Sequence, residues 1–336
     1  MLKRILIVGY GSIGKRHLRI ARDHFPNADI RVLRHKTVNE LPKNSDGLFT
    51  NILDAVSFNP QIAIIANPAT FHIQTAQTLA EAGVNLLIEK PISSSLSGVE
   101  HLIKTVEEKS LILLVGYNLR HLQSLQFFKE QLDKSIIGKV LSVRCEMGNY
   151  LPSWRPECNY RNVVSARKEL GGGVLLELSH ELDFLRWIFG DVEWIKSTLT
   201  QQSDLDIDVE DTVHLTLGFI SKSVDNQLIA SVNLDFIRHD HTRICTAIGE
   251  NGTLQWNGVT DQVLLYEASS TKWNELGSFV SKRDNSYVSE WGNFLDCLSK
   301  KEAPLVTGTD GLKVLQIIEA ARKSSKSGKK EFIIQT

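Results

Sequence analysis

The first third of the chain alternates short, continuously apolar runs with longer segments whose apolar residues recur at helical spacing. The apolar runs end at Val8, Leu33, Ala66, Ile88 and Val115. Continuous apolar strands separated by helices indicate a parallel sheet that is covered on both faces. Because ligands of such sheets bind beyond the carboxyl ends of the strands, we expect the turns after these five residues to share one crevice.

After about residue 120 the pattern changes to an alternation of apolar and polar residues. Such alternation is typical of strands with one buried face. The alternating runs cover 139–146, 212–219, 228–234 and 242–248. Several strands of period two indicate an open, mainly antiparallel sheet.

The turn after the first apolar run carries the motif Gly9-Tyr10-Gly11-Ser12-Ile13-Gly14. In this pattern Gly9 allows a tight turn, Gly11 lets the backbone approach a pyrophosphate, and Gly14 permits close packing of helix on strand. An amphipathic segment follows, and the N–H groups at its start, those of Ser12 and Ile13 included, then face the phosphates. The strand, the turn and the helix together predict a dinucleotide-binding unit.

These patterns predict an α/β protein of two domains. Residues 1–119 form a Rossmann domain with a doubly wound parallel sheet that binds NAD(P). Residues 120–336 form an α+β domain with an open, mainly antiparallel sheet, for substrate binding and dimerisation.

Residues at the end of the second predicted strand bear on which dinucleotide binds. NAD-binding units usually carry an Asp or Glu about 20 residues beyond the glycines, which holds the ribose 2′-hydroxyl. Here the strand ends in Arg34-His35-Lys36, without a carboxylate. The guanidinium of Arg34 offers a planar, bidentate fork that suits a 2′-phosphate. We therefore predict NADP(H), with NAD(H) as the alternative; a basic surface turn would contain the same residues.

Composition limits the classes of function without naming one. The 336 residues include 42% hydrophobic and 23% charged residues, and the net charge is −1. This balance gives no field that favours nucleic acid or an anionic membrane, so we expect neither as a partner. No apolar run approaches the roughly 20 residues of a membrane span, and the N-terminal apolar stretch is too short for a signal peptide. The four scattered cysteines favour reduced thiols, no metal site and a cytoplasmic location.

Glu89-Lys90-Pro91 follows a predicted strand, inside the expected crevice. A lysine there can hydrogen-bond a cofactor ribose and a substrate oxygen, and its charge polarises a carbonyl or stabilises an alkoxide. Lys90 is therefore a candidate catalytic residue. A surface turn of the same sequence is the alternative.

A second candidate lies in a glycine-initiated helix predicted over 171–190. Glu177, His180 and Asp183 follow one another at i, i+3 spacing, which makes consecutive members neighbours on one helix. A histidine braced by carboxylates suits general acid/base catalysis near neutral pH. A structural histidine inside an ion-paired helix is the alternative.

Together these motifs resemble the glucose–fructose oxidoreductase/inositol dehydrogenase (Gfo/Idh/MocA) family. The resemblance rests on the glycine loop followed by Arg16-His17, on 67–72, 89–91, 115–120 and 171–183, and on a late helix that begins Gly308-Thr309-Asp310-Gly311. It implies the two-domain fold and NAD(P)-dependent oxidation or reduction of a sugar, polyol or nucleotide-linked sugar. The segments around 154–161 and 177–183 are similar to members that accompany bacterial surface-polysaccharide and sialic-acid-like sugar synthesis.

The resemblance also implies roles for single residues. Lys90 becomes the lysine that touches the nicotinamide ribose and the substrate, and His180 becomes the acid/base histidine. The full expected cofactor-binding set is Gly9, Gly11, Ser12, Ile13, Gly14, Arg34, His35, Asn67, Pro68, His72, Glu89, Lys90 and Asn118.

One position departs from the family pattern. Family members commonly have Asp four residues before the histidine, where this chain has Leu176. Either Glu177, three residues before, takes the acidic role, or His180 works with another donor. The expected substrate-contacting residues are Arg155, Tyr160, Arg161 and Asp183, with Tyr160 a candidate proton donor and the arginines candidates for an anionic group. A loop pinned by Trp154 and by surface ion pairs is the alternative.

Two other classes of function stay open on the sequence alone. One is a sensor that binds NAD(P) without turning it over, against which the presence of both Lys90 and His180 argues. The other is a redox-neutral enzyme that oxidises and re-reduces its substrate. Whatever the function, an open sheet leaves one of its faces uncovered. We therefore expect a homodimer or homotetramer that packs through 212–219 and 228–234.

Overall fold

The computed structural model describes residues 2–35, 40–154, 156–221, 227–280 and 284–334. The chain divides into two compact units: unit 1 comprises Met1–Tyr117 and Val288–Leu315, and unit 2 comprises Asn118–Tyr287 and Gln316–Thr336. The sequence placed the boundary two residues later and assigned the whole of 288–315 to the second domain. The structure packs that segment with unit 1, because helical periodicity does not show which sheet a late helix covers.

Unit 1 is built on a six-stranded parallel sheet with the order β3-β2-β1-β4-β5-β6. Its strands are β1 (Arg4–Val8), β2 (Asp29–Leu33), β3 (Gly47–Phe49), β4 (Ile62–Ile65), β5 (Asn85–Glu89) and β6 (Leu113–Gly116). Ile7 pairs with Val32 on one side and Ile64 on the other, and all three are fully buried. The predicted doubly wound sheet is confirmed. The short β3 is only half-buried, and its apolar run was too brief to predict.

Four helices follow strands of unit 1: α1 (Ser12–His24), α2 (Ile52–Ser57), α3 (His72–Glu81) and α4 (Val99–Glu108). Because the strands are parallel, the turns that follow β1, β2, β4, β5 and β6 lie at one edge of the sheet. This edge carries the glycine turn, Arg34, Asn67 and Lys90.

Unit 2 contains a nine-stranded sheet with the order β14-β13-β12-β11-β7-β10-β9-β8-β15. Its strands are β7 (Val140–Gly148), β8 (Val192–Thr200), β9 (Thr212–Phe219), β10 (Ile229–Asp235), β11 (Thr242–Gly249), β12 (Gly252–Asn257), β13 (Gln262–Glu267), β14 (Asn274–Ser278) and β15 (Glu331–Phe332). The β7–β10 pair is parallel, and the other strand pairs are antiparallel. Along β7, Val143 and Cys145 are buried while Arg144 and Glu146 are exposed. The predicted open, mainly antiparallel sheet is confirmed.

Unit 2 also contains α5 (Gln123–Asp133), α6 (Leu151–Trp154), α7 (Val174–Glu177) and α8 (His180–Phe189). The prediction of a single helix over 171–190 is wrong. Leu178 has a ψ of 26, far from the helical value of about −42, so the helix stops at Glu177 and restarts at His180. Leu178 and Ser179 are both buried. The spacing of apolar residues therefore does not reveal the two-residue turn between α7 and α8.

Two late helices, α9 (Asn285–Lys300) and α10 (Gly308–Ser327), complete the fold. The buried residues of α9 are Glu290, Trp291, Phe294 and Cys297. Their spacing is helical, and Glu290 is a charged residue type within an otherwise apolar stripe. In the part of the chain that the structure describes, no helix has both the length and the apolar character needed to cross a membrane.

Candidate functional site

The glycine turn between β1 and α1 leaves a backbone surface open. Gly9 has a φ of +92, and a Cβ there would lie 2.6 Å from the Ala66 carbonyl oxygen. A Cβ on Gly14 would collide with the Gly9 carbonyl oxygen, whereas one on Gly11 meets no heavy atom of the described chain within 4 Å. Helix α1 begins at Ser12 without a side-chain cap. The first N–H groups of α1 and the open side of Gly11 therefore form a surface that suits a phosphate.

Asn67, which follows β4, adds an acceptor beside this turn. Its backbone nitrogen lies 2.8 Å from the position of a Cβ on Gly9. Its side-chain Nδ2 donates to Thr75 at 3.3 Å, while its buried Oδ1 has no hydrogen-bond partner among the described residues. A buried acceptor without a donor costs about 1–3 kcal/mol, which a hydroxyl or amide of a bound ligand would offset. The open Gly11 and the Asn67 oxygen both fit a dinucleotide.

His72 connects two turns at this edge of the sheet. Its ring is 1% exposed, with Nδ1 3.0 Å from the Pro91 carbonyl oxygen and Nε2 2.8 Å from the Asn67 carbonyl oxygen. Burial lowers the pKa of His72. The ring thus holds the turn after β4, which contains Asn67 and Pro68, against the turn after β5.

Positive charge gathers at the end of β2. The Arg34 guanidinium lies 5.9 Å from the centre of the Tyr10 ring, and the Lys15 ammonium lies 5.1 Å from the same centre. His35 is exposed, and its ring lies 5.8 Å from that of Phe71. Lys36 lies outside the described residues. Two cations therefore contact Tyr10, inside the glycine motif.

Lys90 follows β5, is half-buried and precedes a cis peptide bond to Pro91. Its backbone N–H donates to Oε2 of Glu89 at 3.2 Å. Glu89 is 7% exposed, and its Oε1 lies 2.8 Å from Nε2 of His17 on α1. The Glu89 side chain therefore faces the interior of unit 1 and supports the backbone at Lys90.

In unit 2, His180 is the half-buried first residue of α8, and the acidic residues that follow it anchor that helix. Asp183 accepts two hydrogen bonds from Arg120, at 2.6 and 2.9 Å, in an ion pair whose side chains are at most 3% exposed. Glu181 accepts from Arg243 on β11 at 2.8 Å. Bidentate pairing fixes geometry as well as adding energy. The first turn of α8 is therefore tied to the segment after β6 and to β11.

The glycines before α7 allow a close approach by a half-buried acid. Gly173 has a φ of +105, and a Cβ there would lie 2.6 Å from Oε1 of Glu210. That oxygen accepts from the Leu175 N–H at 3.0 Å, and burial raises the pKa of Glu210. Glu177, the last residue of α7, is half-buried. Glu177 and His180 thus lie on either side of a turn, and not on one helix.

The loop before α7 is held by several hydrogen bonds. Trp154 donates to the Asn149 carbonyl oxygen at 2.9 Å. The Tyr160 hydroxyl accepts from the Asp206 N–H at 3.3 Å, and Arg161 pairs with the Asp206 carboxylate at 2.8 Å in an exposed ion pair. A small cavity is lined by Leu151, Trp154, Tyr160, Val163 and Ser165. Arg155 lies outside the described residues.

Asn118 lies in unit 2, where it is 6% exposed and donates from Nδ2 to the Ser286 hydroxyl at 2.8 Å. The structure thus brings the glycine turn, Arg34, Asn67 and Lys90 to one sheet edge in unit 1. Unit 2 separately holds Asn118 and the segment from Glu177 to Asp183.

Sequence reasoning missed the buried partners of the acidic residues. His17, Arg120 and Arg243 received no role from spacing, yet they bond Glu89, Asp183 and Glu181 respectively. The sequence did contain a signal for His17. It lies three residues after Gly14, so both residues share one face of α1, and that face is buried. A second signal was Glu290, a glutamate in the apolar stripe of α9.

Two family models match the chain. The NAD-binding Rossmann fold of the GFO_IDH_MocA oxidoreductase family matches residues 3–117, and its C-terminal alpha/beta domain matches residues 129–331. The chain belongs to the Gfo/Idh/MocA oxidoreductase family. The resemblance seen in its motifs is confirmed, and the matched residues cover most of both units.

Named relatives of this Gfo/Idh/MocA protein include sugar and polyol dehydrogenases. It is 27% identical to a myo-inositol 2-dehydrogenase from Thermotoga maritima, over 96% of each chain. A levoglucosan dehydrogenase in complex with NADH superposes with a TM-score of 0.85 at 17% identity, covering 99% of this chain and 100% of the other. The WlbA dehydrogenase from Bordetella pertussis, in complex with NADH and UDP-GlcNAcA, gives a TM-score of 0.81 at 20% identity, covering 100% of both chains. At these identities the structural likenesses show the shared fold.

Proposed function

We propose that this oxidoreductase transfers a hydride between C4 of a nicotinamide and a hydroxyl- or carbonyl-bearing carbon of a sugar, polyol or nucleotide-linked sugar. The observation that carries the proposal is the position of Lys90. It follows β5, two strands from the phosphate-binding turn after β1, at the same edge of the parallel sheet. Ligands of doubly wound sheets bind at this edge.

Each named residue takes one task in this proposal. When bound, the nicotinamide supplies or accepts the hydride. The N–H groups of the glycine turn bind the pyrophosphate, and Asn67 Oδ1 accepts from a cofactor donor. Lys90 stabilises negative charge on the substrate oxygen, His180 carries the proton to or from that oxygen, and Glu177 orients His180.

The buried residues near these positions act as supports. His72 holds the turn of Asn67 against that of Pro91, and Glu89 supports the Lys90 backbone. Asp183 anchors α8 through Arg120, a role that we assign in place of substrate contact, because the Asp183 side chain is 1% exposed.

The loop at 154–161 is proposed to bind an anionic part of the substrate. Arg155 and Arg161 supply charge, and Tyr160 supplies a hydroxyl. The Arg161–Asp206 pair is exposed, so exchanging Asp206 for a substrate anion costs little. UDP-GlcNAcA, the ligand of the Bordetella dehydrogenase, favours nucleotide-linked sugars as one substrate class.

A thermal-shift screen tests the proposal as a whole. The protein is heated with NAD or NADP, alone and with free sugars, polyols and nucleotide-linked sugars. We expect one dinucleotide to raise the unfolding temperature, and one sugar class to raise it further when the dinucleotide is present. If no dinucleotide shifts the transition while nucleotide-linked sugars alone do, the proposal is contradicted.

Arg34 is expected to favour NADP(H) over NAD(H). Charge-assisted hydrogen bonds to a 2′-phosphate give a preference of roughly 1–3 kcal/mol, which the Arg34→Ala variant should lose. Fluorescence titration with both cofactors measures the preference, and Lys43→Ala, which removes an exposed cation elsewhere in unit 1, is the matched control. Equal affinities in the wild type, or a preference for NAD(H) that Arg34→Ala leaves unchanged, would overturn the assignment.

We propose a homodimer, or a tetramer built from dimers, that packs through the open face of the unit 2 sheet. The outward residues of β9 and β10 include polar side chains: Thr216 and Ser231 are at least partly exposed, and His214 Nδ1 lies 2.6 Å from Asn233 Oδ1. We expect sedimentation at micromolar concentration to give a dimer or tetramer, and Ser231→Arg to shift it towards monomer. A monomeric wild type would contradict the proposal. Lys104→Ala, a change on α4 in unit 1, should leave the wild-type profile in place.

A further inference from the structure

A directed chain of hydrogen bonds runs through the interior of unit 1 to the backbone of Lys90. Trp291 Nε1 lies 2.9 Å from His17 Nδ1, and His17 Nε2 lies 2.8 Å from Glu89 Oε1. The other Glu89 oxygen accepts the Lys90 N–H at 3.2 Å. Both His17 and Trp291 are fully buried.

The indole of Trp291 sets the direction of this chain. An indole N–H only donates, so His17 Nδ1 must present a lone pair to it. The remaining ring hydrogen then sits on Nε2, which donates to Glu89. Glu89 therefore accepts one hydrogen bond at each oxygen, from His17 and from Lys90.

Glu290 completes the cluster from α9. Its side chain is fully buried, and neither carboxyl oxygen has a hydrogen-bond partner among the described residues. Its oxygen, one from Glu89 and a ring nitrogen of His17 all lie within 4.8 Å of one another. Within this cluster of described residues, the titratable groups close to Glu290 are His17 from α1 and Glu89 from β5. The exposed His24 of α1 lies against the Trp291 ring, with the two ring centres 6.2 Å apart.

Two ionised carboxylates cannot share this space at low cost. Burial, together with the charge of Glu89, raises the pKa of Glu290 well above its usual value. A proton on Glu290 removes this repulsion, and an oxygen of Glu290 lies within 4.8 Å of an oxygen of Glu89.

We propose that Glu290 is a positioning residue, which holds a proton at neutral pH and donates it in a hydrogen bond to Glu89. This pairing keeps the Glu89 carboxylate against the Lys90 backbone. The link to catalysis rests on the proposed function, in which Lys90 is the residue that touches the substrate.

A metal ion fits the cluster less well than a proton. A metal at His17 Nε2 needs the lone pair on that atom, which moves the ring hydrogen to Nδ1. That hydrogen would then face the Trp291 indole N–H at the 2.9 Å separation, donor against donor. The hydrogen bond from Trp291 therefore favours a proton on Glu290 over a metal ion in this cluster.

The pH dependence of stability tests the assignment without any substrate. Because the folded state raises the Glu290 pKa, this group contributes full stability below its unfolded pKa and loses it as pH rises through the folded value. Glu290→Gln stays neutral and still donates from its amide. We expect its unfolding temperature to exceed that of the wild type by at least about 2 °C near pH 9, with the difference shrinking towards about pH 5.

The matched control is Glu302→Gln, the same chemical change at an exposed position of unit 1. It should follow the wild-type curve at every pH. A Glu290→Gln curve that also follows the wild type would overturn the proposal. So would a rise in the wild-type unfolding temperature with Mn²⁺ or Zn²⁺ that Glu290→Gln abolishes, because the site would then hold a metal ion.

Kinetics test the link to Lys90. We expect Glu290→Gln to keep kcat near neutral pH within about twofold and to extend activity to higher pH, and Glu290→Ala to lower kcat roughly 10- to 100-fold with little change in cofactor KM. Equal losses in both variants, with no change in the pH profile, would overturn the positioning role. If the stability curve responds as expected but no sugar is turned over, the proton on Glu290 stands and the proposed function fails.

Discussion

Replacing His180 with alanine is expected to lower kcat by about 10²–10⁴-fold, the usual loss on removing a general acid or base. Affinity for NAD(P) should stay within about twofold, because the glycine turn, Arg34 and Asn67 all belong to unit 1. Fold should be retained, since the Arg120–Asp183 and Glu181–Arg243 pairs anchor α8 without the imidazole. Steady-state kinetics at saturating cofactor, with a cofactor titration, measure both effects.

Three further variants separate His180 from its neighbours. His101→Ala, at an exposed position of α4, should have no effect on kcat. Glu177→Gln should be milder than His180→Ala and should shift the pH–rate profile, because its charge acts across the turn between α7 and α8. If Tyr160→Phe abolishes turnover while His180→Ala keeps most of it, the proton donor lies in the loop at 154–161 and the assignment of His180 is wrong.

Replacing Lys90 with alanine is expected to lower kcat by about 10²–10³-fold. The reason is electrostatic: the ammonium acts on charge that develops on the substrate oxygen, so its loss raises the barrier more than it weakens ground-state binding. Cofactor affinity should fall slightly, because the same ammonium is proposed to touch the ribose. Lys104→Ala, on the exposed surface of α4, is the matched control. A Lys90→Ala variant that raises KM while keeping kcat would show that Lys90 only binds substrate.

Much of the fold could be predicted because burial imposes a period on the sequence. Strands β1, β4, β5 and β6 of unit 1 are buried along almost their whole length and form continuous apolar runs. By contrast, β7 and β9 to β11 alternate because one face is open. The break between α7 and α8 was missed because Leu176, Leu178 and Ser179 are all buried around it. The packing of 288–315 with unit 1 depends on contacts that local spacing does not encode.

The partners of the acidic residues could not be predicted for the same physical reason. Asp183 bonds Arg120 across 63 residues, and Trp291 bonds His17 across 274. Helical spacing reports neighbours within one or two turns, so it grouped Asp183 with His180 and left Arg120 without a role. The turns at the sheet edge were easier, because the ends of parallel strands must meet there.

Transfer of deuterium from NAD(P)H labelled at C4 tests the central claim most directly. The labelled cofactor is incubated with the protein and with keto forms of sugars, polyols and nucleotide-linked sugars, and the products are examined by mass spectrometry. The account predicts one deuterium on a carbon of one sugar class, with its formation strongly reduced in His180→Ala and Lys90→Ala. Bound cofactor that passes deuterium to none of these compounds would contradict it, and would show a protein that binds the dinucleotide without turning it over.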